Sequence, residues 1–159
     1  MTKSRSKSPE AIEMLKEDHD KVKKAFKEFE KMDREDTESC QQLIRSVCED
    51  LKVHTTLEEE IFYPALRASI EDEDIMNEAA VEHETAKMLI DQLENMGPDD
   101  PNYFATFTVL GEYVMHHVKE EEGEMFPQAK KADLDLEALG SRMQERKSEL
   151  MSQGEKAEA

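Results

Sequence analysis

The stretch VHTTLEEEIFYP (residues 53–64) decides the fold, because HHVKEEEGEMFP (residues 116–127) repeats its plan. In each, a His is followed four residues later by a Glu and ten residues later by a Pro: His54, Glu58, Pro64 and His117, Glu121, Pro127. A spacing of four stacks His and Glu on one face of a helix, one turn apart. Upstream of each stretch stands a further His between acids, Asp18-His19-Asp20 and Glu82-His83-Glu84. His19 precedes His54 by 35 residues, and His83 precedes His117 by 34. The chain reads as a duplicated helical hairpin, each copy offering two His and one Glu.

The apolar pattern places these six residues. Ile12, Leu15, His19, Val22, Phe26 and Phe29 recur at spacings of three and four. So do Ile44, Val47, Leu51, His54, Glu58, Ile61 and Ala65. Met76, Ala79, His83, Ala86, Ile90 and Leu93 form a third seam, and Phe107, Leu110, Val114, His117 and Glu121 a fourth. Such seams face the partners in a helical bundle. The only ionisable seam residues are four His and two Glu. Buried, they cost several kcal/mol unless paired or metal-bound.

The composition fits an all-α protein with one core: 159 residues, 38% of them charged, with only 5 Gly and 5 Pro. A net charge of -18 argues against nucleic acid and anionic membrane surfaces as partners. No apolar run is long enough to span a bilayer. The basic start, MTKSRSKSP, lacks the apolar stretch of a signal peptide, so a cytoplasmic location is expected. Cys40 and Cys48 lie eight residues apart on one expected helix, about 12 Å. They cannot pair there and read as ordinary buried thiols.

Residues 1–8 are expected to be a disordered tail, 9–151 one domain and 152–159 a frayed tail. Ser8 reads as the first N-cap and Pro9 as the first helical residue. That helix runs to about Met32, a second from Thr37 to Ser69 with a disturbance near Pro64, and a third from Glu71 to Gly97-Pro98. Asp100-Pro101 opens a fourth, to about Gln128. A fifth, from about Asp133 to Met151, carries Leu136, Leu139, Met143 and Leu150. Short connections predict an up-down-up-down four-helix bundle with an additional C-terminal helix. From the first turn back to His19 is about 18 Å and on to His54 about 25 Å, so both reach nearly one level.

Four His and two Glu are too many for one tetrahedral zinc. They suit two metals, each with two His, bridged by both carboxylates and by an oxide or hydroxide. Iron is the best match, with manganese or dinuclear zinc as alternatives. Asp18, Asp20, Glu82 and Glu84 read as solvent-facing acids, with orientation of the His rings as the alternative. Glu59, Glu60, Glu120 and Glu122 read as solvated, and His116 as exposed. Tyr63 and Tyr113 are the side chains that could reach an open metal position.

The order His, His-x-x-x-Glu, His, His-x-x-x-Glu, carried by EDHD, VHTTLEEEIFYP, VEHE and HHVKEEEGEMFP, resembles the hemerythrin-like (HHE cation-binding) domain over residues 10–150. The resemblance implies a non-haem di-iron centre that binds dioxygen, nitric oxide or peroxide, with His19, His54, Glu58, His83, His117 and Glu121 as ligands. It also implies the up-down-up-down topology for which hemerythrin-type proteins are already known. Two departures matter. Oxygen-carrying members have a fifth His where this chain has Lys87, and an Asp five residues after the fourth-helix His. The first function expected is small-molecule binding, storage or sensing. An oxidoreductase removing peroxide or supporting iron-centre repair is the alternative, and a metal-free interaction module a third. A sensor would need a protein partner, and a homodimer is compatible with the sequence.

Overall fold

A computed structural model gives the structure of residues 10–158, with side chains through Gln153. The described residues form helices and no strand. Helix α1, Ala11–Lys31, is capped by Glu10. The Glu10 carboxylate accepts from the Glu13 N–H at 2.9 Å, and the Glu13 carboxylate accepts from the Glu10 N–H at 3.2 Å. Ser8 and Pro9, the expected cap and first helical residue, lie outside the described residues. Within them the reciprocal Glu pair starts the helix by satisfying two otherwise orphaned donors.

Helix α2, Thr37–Leu57, begins at Asp36, whose side chain accepts from the Ser39 N–H. A five-residue π turn, Glu58–Phe62, leads into α3, Tyr63–Ser69. The fourth long segment repeats the arrangement: α5 is Tyr103–Glu120, a π turn covers Glu121–Met125, and α6 is Phe126–Lys131. The disturbance expected near Pro64 is this π turn, and a twin that no expectation covers precedes Pro127. Neither proline can donate an N–H, and each ring crowds the carbonyl four residues back. The ladder widens instead, so that the Tyr63 N–H bonds the Glu58 carbonyl and the Phe126 N–H the Glu121 carbonyl. In an α-helix, residues five apart diverge. The wider turn carries Tyr63 and Phe126 round toward the faces of Glu58 and Glu121.

Helix α4, Glu73–Glu94, is capped by Asp72 and stops before Gly97. Helix α7 is Leu136–Glu158. Its start is later than expected, because Asp135 accepts from the Ala138 N–H at 3.0 Å. Its end is also later. Helix formers after Met151 carry it on, and Gly154 costs only about 1 kcal/mol.

Helix α1 packs on α2 and α4 on α5, while α1–α5 and α2–α4 contacts join the two hairpins. Helix α7 lies against α1, α2 and the first π turn. The interior divides into two apolar clusters. One holds Leu15, Leu57, Phe62, Ala79, Met125 and Phe126, with Leu139 and Met143 of α7. The other holds Val22, Phe26, Leu51, Ile90, Phe107 and Leu110. Gly111 permits the close approach of α5 to α1, since a Cβ there would stand 3.0 Å from the Phe26 ring. His19 lies between Leu15 of the first cluster and Val22 of the second; His54 lies between Leu57 and Leu51. The ionisable layer is sandwiched between two apolar cores. Cys40 and Cys48 are free and buried, as expected.

Candidate metal centre

All six seam residues meet in that layer. His19, His54, Glu58, His83 and Glu121 are buried, and His117 is 12% exposed. They form two groups whose donor atoms lie within 4.8 Å of one another, His19, His54, Glu58 and Glu121 in one, Glu58, His83 and His117 in the other. The duplication is visible in the rings. His19 and His54 stand edge to face at 5.0 Å between centroids, and His83 and His117 at 4.9 Å. Glu121 spans the groups, with Oε1 3.0 Å from His19 Nε2 and Oε2 3.4 Å from His117 Nε2. Glu58 Oε1 lies 2.9 Å from His83 Nε2 and 3.5 Å from His54 Nε2.

Every one of the four imidazoles is anchored through Nδ1 to a carboxylate: His19 to Glu122 at 2.7 Å, His54 to Asp18 at 2.9 Å, His83 to Glu59 at 2.8 Å and His117 to Glu82 at 2.6 Å. That fixes each ring and turns each Nε2 inward. All four of these acids correct the sequence reading, which has them facing solvent. Glu59 and Glu122 are not simply solvated, because they reach across to the His of the other hairpin. Asp18 and Glu82 take the orienting role, each serving the next helix of its own hairpin. No His contact is found for Asp20 or Glu84 among the described residues. Lysines hold two of the carboxylates in turn, Lys147 on Asp18 at 3.1 Å and Lys87 on Glu59 at 2.6 Å. Lys87 therefore points to Glu59 and away from the inward nitrogens.

Inside the layer, four buried atoms have no hydrogen-bond partner: His19 Nε2, His54 Nε2, Glu58 Oε2 and Glu121 Oε1. Each unsatisfied group costs about 1–3 kcal/mol. These are nitrogen and carboxylate donors, the chemistry a first-row metal takes, and the residues fit a cation. Without one, the charges compete. Burial and then the neighbouring Glu121 push Glu58 well above the usual carboxylate range. Burial also opposes a charge on Glu121, but the polar groups of Glu58, His117 and His19 packed against it hold it well below that range. His117 is raised to about 9, its burial outweighed by Glu121 and Glu82. His83, buried and beside His117, is lowered to about 4.

Of the two tyrosines considered, Tyr63 reaches the layer. Its hydroxyl lies 3.1 Å from His117 Nε2, 3.3 Å from His83 Nε2 and 3.2 Å from Glu58 Oε1, and it donates to Glu121 Oε2. Burial and then the charges of Glu121 and Glu58 push the phenol well above its ordinary value. Tyr113 is 47% exposed and lines a cavity of about 30 Å³ with Val22, Leu51, Ala86 and Val114. That cavity also touches all four His rings. His116 is 65% exposed, as expected.

The family model described as hemerythrin HHE cation binding domain matches residues 10–129. A crystal structure of a hemerythrin HHE cation binding domain-containing protein from Mycobacterium kansasii superposes with a TM-score of 0.76 at 25% identity, covering 91% of this chain and 89% of that one. A protein named DNA nickase from Nostoc sp. is 29% identical over 114 residues, 72% of this chain. The chain spans about a third of that relative, 32% of its length. No described helix is long and apolar enough to cross a membrane. With the family model covering most of its length, the chain belongs to the hemerythrin HHE cation-binding domain family.

Proposed function

We propose that the protein is a non-haem di-iron protein that binds a small ligand such as dioxygen, nitric oxide or peroxide. His19 and His54 would hold one iron and His83 and His117 the other, with Glu58 and Glu121 between them as shared donors. The four long helical segments make an up-down-up-down bundle, and α7 covers its α1–α2 side. One observation carries the reading: four inward Nε2 atoms, each oriented by a carboxylate on its Nδ1, face two buried carboxylates with unsatisfied oxygens. A pair of irons there would supply an open coordination position and exchange electrons with the bound molecule. The apolar cavity of about 30 Å³ beside the His rings suits a diatomic guest and little more.

Peroxide removal is the second reading, and Tyr63 favours it. Its buried hydroxyl sits among donors of the His83–His117 half and can hold or deliver a proton beside a bound peroxide. Lys87, at the place of the fifth His of oxygen carriers, turns outward and leaves that position open to other groups. The charge of -18 supports a protein without a nucleic-acid partner, acting in the cytoplasm alone or with a protein partner or second copy. Metal analysis with optical spectra before and after dioxygen, nitric oxide and peroxide tests the reading. An iron-loaded protein whose spectrum none of these changes would sink it.

A further inference from the structure

The two hairpins share their six inward residues, yet differ at four positions around them. In the first copy these are Met14, Val53, Leu57 and Ile61, all buried in the cluster that includes Leu139 and Met143 of α7. In the second copy the corresponding residues are Glu78, His116, Glu120 and Glu124. Glu78, His116 and Glu124 are exposed. A cavity of about 210 Å³ opens there, lined by Glu78, Glu82, Glu120 and Glu124 and by the inward residues His117 and Glu121, with no Lys or Arg in its wall.

We propose that Glu82, His116 and Glu120 form a separate divalent-cation site at the mouth of this cavity, which captures a first-row metal ion and passes it inward. It rests on the reading of the six inward residues as a dimetal centre. His116 Nε2 lies 3.3 Å from Glu120 Oε1 and 3.7 Å from Glu82 Oε2, and one donor from each of the three lies within 4.8 Å of the others. Donors sharing one such ion at about 2.1 Å stand roughly 3.0–3.4 Å apart, so the two His116–carboxylate separations need close by only a few tenths of an ångström. An imidazole among carboxylates selects a transition metal over magnesium or calcium.

The second support is inside the cavity. Glu121 is only 1% exposed and lines the same wall, with its Oε2 3.4 Å from Nε2 of His117, which lines that wall too. Glu82 links the two levels, with Oε2 toward His116 and Oε1 bonded to His117 Nδ1. The first hairpin has no such route, because the counterpart of Glu82, Asp18, is tied to Lys147 of α7.

The test uses the full chain stripped of metal, dialysed to equilibrium against zinc in excess magnesium. Wild type should bind three ions, the third at least about tenfold more weakly, whereas His116→Ala and Glu120→Gln should bind two. Both variants should also fill the tight pair several-fold more slowly. Two ions in all three proteins, or a weak ion that survives both substitutions, overturns the proposal. Failure of the dimetal reading looks different: tight ions fall below two in every protein. Even then, one weak ion lost on His116→Ala upholds the surface site, and no such loss overturns it.

Discussion

Tyr63 and Phe126 stand at the same position of the two hairpins, each five residues after the Glu that opens a π turn. Yet Tyr63 sets a hydroxyl 3.1 Å from His117 Nε2, while Phe126 lies parallel to the His19 ring at 5.9 Å between centroids. The two halves of the centre are therefore chemically unequal. One carries a phenol, the other a hydrocarbon face.

From this inequality comes the first prediction. Tyr63→Phe should retain the metal but alter the half held by His83 and His117. Ferric-loaded wild type should show a broad visible absorption from a phenol–iron contact, absent in the variant. Peroxide consumption should fall about tenfold or more if the hydroxyl moves a proton there. Identical spectra and rates would leave Tyr63 a structural residue only.

The carboxylates behind the rings give the second. Asp18→Asn leaves a side chain of the same shape but removes the charge that orients His54. Metal affinity should drop roughly 10–100-fold, with helix content unchanged by circular dichroism. Asp20→Asn should change neither. Equal affinities in all three proteins would show that the Nδ1 contacts are incidental.

How far these features can be read from the sequence varies with their range. The six inward residues were legible because the three-and-four spacing places them on seams that are otherwise apolar. Asp18 and Glu82 each adjoin a His, which suggests the orienting role only as an alternative to facing solvent. Glu59 and Glu122 carry no such hint, because their partners lie on the other hairpin, a relation no helical spacing encodes. Pro64 announced a disturbance, but only the wider turn explains how Tyr63 joins Glu58. The position of α7 over the first hairpin depends on Met14, Val53, Leu57 and Ile61. Three of these fall outside the seams that mark the bundle interior.

Protonation supplies the third prediction. In the metal-free protein His117 keeps its proton up to about pH 9, whereas a metal needs the neutral ring. Loading at pH 7.5 should expel at least one proton, and above pH 9 that proton should vanish from the balance. Calorimetry in buffers of different ionisation enthalpy measures it. The same raised value makes the His117 contribution to stability full below its ordinary 6.5 and lost as pH climbs through 9. His83, lowered to about 4, works in reverse and loses its contribution as pH falls from 6.5 through 4. These two rings together thus favour the metal-free protein most near pH 6.5. A melting temperature flat from pH 5 to 9 would contradict the assignment.

The fourth concerns Cys48, whose thiol burial pushes up to about 12. Alkylation by iodoacetamide at pH 8 should run roughly 1,000-fold slower than for a free thiol, and at the ordinary rate in denaturant. Rapid labelling of folded protein would mean that the helix-α2 core opens locally.

The most direct test of the central claim is iron content per chain in wild type, His54→Ala and His117→Ala, paired with melting before and after chelation. The account predicts close to two irons in wild type and a sharp fall in both variants. Chelation should lower the melting temperature, and iron should restore it, because the buried donors then regain their partner. Full iron content in either variant, or a melting curve indifferent to complete metal removal, would contradict it.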